Sequence, residues 1–172
     1  MDIPWPPERR AAARANAARL AEQAGLEFGE RSRWYDSALA HEAAEWAREQ
    51  DAPALEEEFR RTIFRAYFAE LRNIGDADVL VDTAASVAVS GATGTELRYT
   101  PEHLADLRAA LAERRYREAV QRQFQEAREI GVTGVPTTIA GHYALVGAHP
   151  YEQFRRLMAA AGAQERPEQP TD

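Results

Sequence analysis

The stretch Gly131-Val132-Thr133-Gly134-Val135-Pro136-Thr137-Thr138-Ile139 carries most of the chemistry this chain can offer. A helical run ends at Ile130, two glycines punctuate a turn, and a Val-Pro step leads into a β-type run. The residue before a proline is pushed out of the α region, and an X-Pro bond reaches the cis form far more easily than other peptide bonds. The spacing predicts a stiff, extended corner at the mouth of a strand, where a cis Val135-Pro136 bond is affordable and the residues leave cis or trans open. Main-chain N–H and C=O groups at such a corner can pair with an extended peptide or thiol ligand. Thr133, Gly134, Val135, Pro136 and Thr137 are the expected substrate-binding residues.

Other reactive groups are sparse. The chain has no cysteine, which excludes disulfides, thiolate catalysis and cysteine metal sites within it. His41, His103, His142 and His149 are scattered, and no two stand at metal-ligand spacing. No metal, no cofactor and no catalytic side chain are expected. His41 lies beside the Leu39–Trp46 face, as a structural histidine or as the lining of a groove. His103 falls in the first turn of a helix, His142 in a hairpin turn and His149 near a helix cap. Asp36-Ser37 serves either as a helix cap or as a polar pair facing a cleft. Glu56-Glu57-Glu58 reads as a solvated first turn, favoured by the helix dipole. Trp5 and Trp34 lie in irregular segments, as lids on the core or as walls of a groove.

The 172 residues suit one domain, or one domain with an insert. An apolar fraction of 45% is ample for a core, and 28% charged residues is ordinary. The net charge of −7 argues against nucleic acid, whose phosphates want a basic patch. All 21 basic residues are arginine, which reads as coding-sequence bias rather than function. No apolar run approaches the roughly 18 residues of a membrane span, and the N-terminus has no apolar signal core. A cytoplasmic protein with no membrane partner is expected.

The elements that must position the corner follow from periodicity and punctuation. Pro4-Trp5-Pro6-Pro7 is too stiff for helix or central strand. An alanine-rich helix is predicted from Glu8 to Ala24, with Gly25 at its C-terminal cap. Asp36 or Ser37 caps a helix to about Gln50, with Leu39, Ala43, Trp46 and Ala47 on one face. Asp51-Ala52-Pro53 starts a helix to about Arg72, with Asp51 as its cap and the proline near the first turn, carrying Leu55, Phe59, Ile63, Phe64, Tyr67, Phe68 and Leu71. Asp76 caps a helix with Val79, Leu80, Thr83 and Val87 on one face, and Ser90–Thr95 is a polar loop. Thr100-Pro101-Glu102 opens a helix bearing Leu104, Leu107 and Leu111. A further helix covers roughly Arg114 to Ile130, with Val120, Phe124 and Ala127 inward. Thr137–Ala140 and Tyr143–Val146 read as strands around a Gly141-His142 turn. Pro150 begins a last helix with Tyr151, Phe154, Leu157 and Met158.

The run Gly131 to Ala148 resembles the DsbA family, in its cytoplasmic, bacterial FrnE-like branch. Ala40-His41-Glu42-Ala43-Ala44-Glu45-Trp46-Ala47, Phe64 to Glu70, Asn73-Ile74-Gly75-Asp76 and Val79-Leu80 extend the likeness over nearly all of residues 8–162. A sister branch, the kappa-class transferases and hydroxychromene carboxylate isomerases, shows a Trp-Gly-x-Asp-Arg run after the hairpin. Val146-Gly147-Ala148-His149-Pro150 stands here instead, which favours the FrnE-like branch. FrnE-like proteins tend to carry asparagine at the position of Asp36. The resemblance implies a mainly α chain with a small β-hairpin, part of a thioredoxin-like fold. Its expected parts are a Pro-rich lead (1–7), a helical insert domain (8–130), a C-terminal ββα part (131–162) and a disordered tail (163–172).

The family's strand, Cys-x-x-Cys turn, helix and second strand have no counterpart here. The chain starts about where the segment after that second strand lies. The resemblance implies a thiol–disulfide oxidoreductase, but no residue here can take the thiolate's role. This polypeptide is therefore expected to be redox-inactive alone. In the fold, the strand at Thr137–Ala140 pairs with the missing first strand, so its edge is expected to be bare. The natural start could lie upstream, a partner could donate a strand, or two copies could pair. The simplest of these is an upstream start. The alternative function is a non-catalytic peptide-binding or homodimeric remnant that uses the cis-proline strand edge. The expected partners are an extended peptide or a thiol-containing protein.

Overall fold

Three helices begin with proline in the first turn, where a missing N–H costs nothing. They are α1 (Pro7–Gln23), α3 (Pro53–Phe68) and α5 (Pro101–Glu113). Between and after them lie α2 (Ala38–Glu49), α4 (Ala77–Ala85), α6 (Arg117–Glu129) and α7 (Tyr151–Ala160). Two antiparallel hairpins complete the chain: β1 (Val89–Ser90) with β2 (Glu96–Leu97), and β3 (Thr137–Ala140) with β4 (Tyr143–Val146). The chain is mostly helical, with small antiparallel sheets. The computed structural model describes residues 6–30, 34–91 and 94–164. Trp5, the start of the Pro-rich lead, part of the Ser90–Thr95 loop and most of the tail fall outside the described residues.

The chain forms two compact units, Met1–Gln121 and Arg122–Asp172. The division falls inside α6, so the second half of that helix goes with the ββα segment. In the first unit α2, α3, α4 and α5 pack around one core. Trp46 is 0% exposed and meets Phe59 edge-on at 6.4 Å and Tyr99 at 5.1 Å. Leu55, Ile63, Leu80, Val87, Leu107 and Leu111 surround this aromatic centre. Ala43, Ala47 and Thr83, from the two helix faces read in the sequence, are buried as well.

Several local expectations change in the structure. Pro7 is helical, as the first residue of α1. The α3 helix stops at Phe68, short of Arg72. Leu71 takes a left-handed conformation (φ 59°), and Gly29 N–H donates to the Phe68 carbonyl at 2.8 Å. Phe64 is 64% exposed, stacked on Phe68 at 6.0 Å outside the core. Asp51 is not a cap; it is left-handed (φ 50°), and Ala52 precedes the helix without a side-chain bond. Asp36 rather than Ser37 does the capping work at α2, accepting from Ala38 N–H at 2.9 Å. The Ser90–Thr95 loop joins a short hairpin that the residue pattern does not announce. The α6 helix starts at Arg117 rather than Arg114, because Arg114 is left-handed (φ 56°) and closes α5. Phe124, expected inward, is 48% exposed, and Tyr151 and Met158 of α7 are 75% and 46% exposed. The small second unit has too few elements to cover every apolar side chain.

Gly75 marks a close approach in the first unit. A Cβ there would stand 2.8 Å from the Asp36 carbonyl oxygen, which is rigid backbone. Gly75→Ala is expected to cost about 1–3 kcal/mol through this overlap. A fall in the urea midpoint by circular dichroism checks it, and an unchanged midpoint contradicts the contact.

A polar network borders the core. Trp46 Nε1–H donates to Asp106 Oδ2 at 2.8 Å, and Arg115 donates to Asp106 Oδ1 at 2.9 Å. The Arg115 bond first, and the Trp46 bond next, hold the Asp106 carboxyl below its ordinary range. Such a group contributes stability above its unfolded pKa of about 3.9 and loses it as pH falls through the folded value. Asp106→Asn is therefore expected to flatten the decline in stability below about pH 4. Urea midpoints across acid pH test this; parallel profiles for the two proteins contradict it.

Candidate functional site

The corner is built by the end of α6 and the start of β3. Gly131 is left-handed (φ 84°), and its N–H donates to the Arg128 carbonyl at 2.9 Å. Val132 N–H donates to the Ala127 carbonyl at 2.9 Å. This pair of bonds is a Schellman motif, and glycine supplies the conformation it needs without strain. The chain then turns through Thr133 and Gly134. Gly134 packs close enough that a Cβ would lie 3.3 Å from Val146 Cγ1. Thr137 Oγ1–H donates to the Gly134 carbonyl at 2.6 Å and closes the turn. The Val135-Pro136 peptide is cis.

All five predicted site residues thus lie on one continuous corner. Thr133 and Pro136 are exposed, and Gly134 and Thr137 are half-buried. Val135 is 90% exposed, with its isopropyl group in solvent.

The strand that follows has a defined outer edge. Its register pairs Thr137 with Val146, Thr138 with Leu145, Ile139 with Ala144 and Ala140 with Tyr143. Gly141 carries the positive φ (59°) of a glycine-first two-residue turn. In such a hairpin the residues flanking the turn are a hydrogen-bonded pair, and pairs alternate from there. Gly147 N–H donates to the Pro136 carbonyl at 2.7 Å, which fixes the same alternation at the other end. Pro136, Thr138 and Ala140 therefore face β4, while the main-chain groups of Thr137 and Ile139 face outward. Among the described residues β3 has no neighbour but β4. Ile139 and Val146, on one face of this pair, are each 47% exposed.

The histidines stay apart from the corner's chemistry. His103 accepts the Thr100 N–H at 3.1 Å through Nδ1 and completes a capping box for α5. His41 is on the α2 surface; burial first, and Arg60 next, hold it below its ordinary pKa. His149 Nε2 lies 2.9 Å from the Val146 carbonyl, and His142 is exposed in its turn. Trp34 is partly exposed. No group of side chains among the described residues could hold a metal ion. No helix among them is long and apolar enough to cross a membrane. What the corner offers is main-chain pairing and apolar contact.

One buried ion pair was not visible in the residue pattern. Arg114 donates from Nε and Nη2 to Glu42 Oε1 at 2.9 and 2.6 Å, and the Glu42 side chain is 2% exposed. Only the acid's place beside the Ala43–Trp46 face hinted at it. It ties α2 to the end of α5 and takes no part in the corner.

Comparison with known proteins places these features in a family. Over 122 residues the chain is 29% identical to YwbO, an uncharacterized protein of Bacillus subtilis (strain 168). The match takes in 70% of this chain and 53% of YwbO, so the chain spans about half the length of that relative. The DSBA-like thioredoxin domain matches residues 6–159, which take in both the helical unit and the β3–β4–α7 segment. The mainly helical architecture with its small β-hairpin is accordingly part of a thioredoxin-like fold, and the chain belongs to the DSBA-like thioredoxin domain family.

Proposed function

We propose that this chain serves the substrate-binding side of a thiol–disulfide oxidoreductase system of the FrnE-like branch and performs no redox step itself. The observation that carries the reading is the 90% exposed Val135, set on an extended corner in a family chain with no cysteine. The family's chemistry needs a thiolate to attack a disulfide, and no side chain here can form one. Thr133, Gly134, Val135, Pro136 and Thr137 contribute backbone and apolar contact to an extended peptide or a thiol-bearing protein. Strand-like capture suits this geometry, because main-chain bonds supply affinity and alternate side chains supply selection. A cysteine-free chain needs no oxidising compartment, which is compatible with the cytoplasm.

The test has two arms. In a disulfide-reduction assay the pure chain is expected to add nothing to the rate of dithiothreitol alone; turnover overturns the redox-inactive part. A fluorescent, reduced and alkylated unfolded protein is then titrated against the wild type and Val135→Asp. The charge is expected to weaken binding by at least about tenfold, or ~1.4 kcal/mol. Equal affinities, or no binding by the wild type, overturn the substrate-binding part.

A further inference from the structure

We infer that His149 guards the outer edge of β4, and that without it two copies of this chain pair through that edge. The guard takes no part in peptide capture at the corner.

Among the described residues β4 pairs with β3 and with no other strand. In the thioredoxin-like fold the first strand joins β3 on its far side, so that strand leaves the β4 edge as it is. Gly147 N–H donates to the Pro136 carbonyl, and the alternation it fixes turns Tyr143 and Leu145 toward β3 as well. The main-chain groups of Ala144 and Val146 therefore face outward. The Val146 carbonyl is nevertheless taken, because His149 Nε2 lies 2.9 Å from it. A carbonyl only accepts, so Nε2 carries the proton and donates. Gly147, left-handed at φ 101°, turns the chain back so that a side chain three residues on reaches this oxygen. A group bonded to an outward carbonyl stands on the outer edge. The imidazole thus occupies the place that the N–H of an incoming strand would take.

Charge shows why a guard is needed. Edge strands are commonly protected by charged side chains. From Ile130 to Tyr151 there is no Asp, Glu, Lys or Arg, although such residues make up 28% of the chain. Two copies each carrying a net charge of −7 repel, and this uncharged stretch is where they approach at least cost. The edge is also self-complementary. Ala144 and Val146 flank Leu145, so an antiparallel copy centred on Leu145 sets each Ala144 opposite the Val146 of the other copy. Each Ala144 N–H then donates to that Val146 carbonyl. This is the oxygen His149 holds, so one imidazole on each copy blocks both bonds.

Sedimentation of the whole chain, from micromolar to near-millimolar concentration, compares the wild type with three variants. His149 is exposed, so losing its ring leaves no void in the core. His149→Ala frees two acceptors per dimer and is expected to self-associate at least about tenfold more tightly than the wild type. Adding Ala144→Pro removes the outward N–H and no bond to β3, and is expected to return association to the wild-type level. His149→Gln keeps a side-chain N–H donor and is expected to associate no more than the wild type. Circular dichroism checks the fold of each variant. Equal association of the wild type and His149→Ala overturns the guard. So does a gain that survives Ala144→Pro, or a Gln variant as prone to associate as the Ala variant. The readout is a difference between variants with no peptide present, so it stands apart from the peptide titration and from anything that pairs with β3.

Discussion

Trp46→Ala is expected to destabilise the helical unit by about 4 kcal/mol, in the range for removing a large aromatic from a core. The indole is fully buried between Phe59 and Tyr99, so its loss leaves a void that fixed helices cannot close. Each aromatic contact is worth about 0.5–1.5 kcal/mol beyond the area it buries. The Nε1–H bond to Asp106 is lost as well. Trp46→Phe keeps much of the apolar volume and forgoes mainly that bond, so its loss is expected to be well under half as large. Urea unfolding followed by circular dichroism separates the two. Similar midpoints for the Ala and Phe variants would show that the void is not the main cost. Against a typical total stability of about 5–15 kcal/mol, the Ala variant is expected to be partly unfolded when warmed.

Arg114→Ala is expected to cost about 3 kcal/mol, the low end for stripping one partner from a buried ion pair. Glu42 Oε2 already has no partner among the described residues, so the change leaves a buried carboxylate with neither oxygen paired. Arg114 itself is 41% exposed, so water can reach part of the vacated space, which sets the low end. Its backbone adds a second term. With φ at 56°, residue 114 holds the left-handed conformation that closes α5. That conformation costs an L-residue about 1–2 kcal/mol, and glycine adopts it freely. Arg114→Gly is therefore expected to be about 1 kcal/mol more stable than Arg114→Ala, although both lose the ion pair. If the glycine variant is the less stable, the backbone account fails. The pairing also explains why arginine occupies a position where glycine is usual. The contact with Glu42 offsets the local strain.

Much of the C-terminal hairpin was legible in the residues. Alternation, a Gly-first turn and a Val-Pro step are local signals, and β3 and β4 have the bounds those signals predict. The Leu55, Phe59 and Ile63 stripe was legible because helical period alone puts those side chains on one face. The same stripe misplaced Phe64. Periodicity says that an apolar side chain shares a face, but not whether another element covers it. Here Phe68 and Phe28 cover one another at 5.9 Å, and Phe64 stacks at the open end. The β1–β2 hairpin was illegible because strands of two residues have no period to read.

The sequence by itself determined the helix starts at Pro53 and Pro101, the Asp76 and Thr100 caps, the turn between β3 and β4 and the absence of any thiol. These depend on neighbours a few residues away, or on composition. Tertiary structure alone decided that Glu42 is buried, that α3 stops at Phe68 and that Val135 stands in solvent. Glu42 looks like any surface acid until Arg114, 72 residues on, folds back to it. The end of α3 depends on the Phe28–Gly29 segment that packs against it. The exposure of Val135 depends on what fails to cover it. Burial is a property of the neighbours that arrive through space, and a local pattern records only the side chain that awaits them.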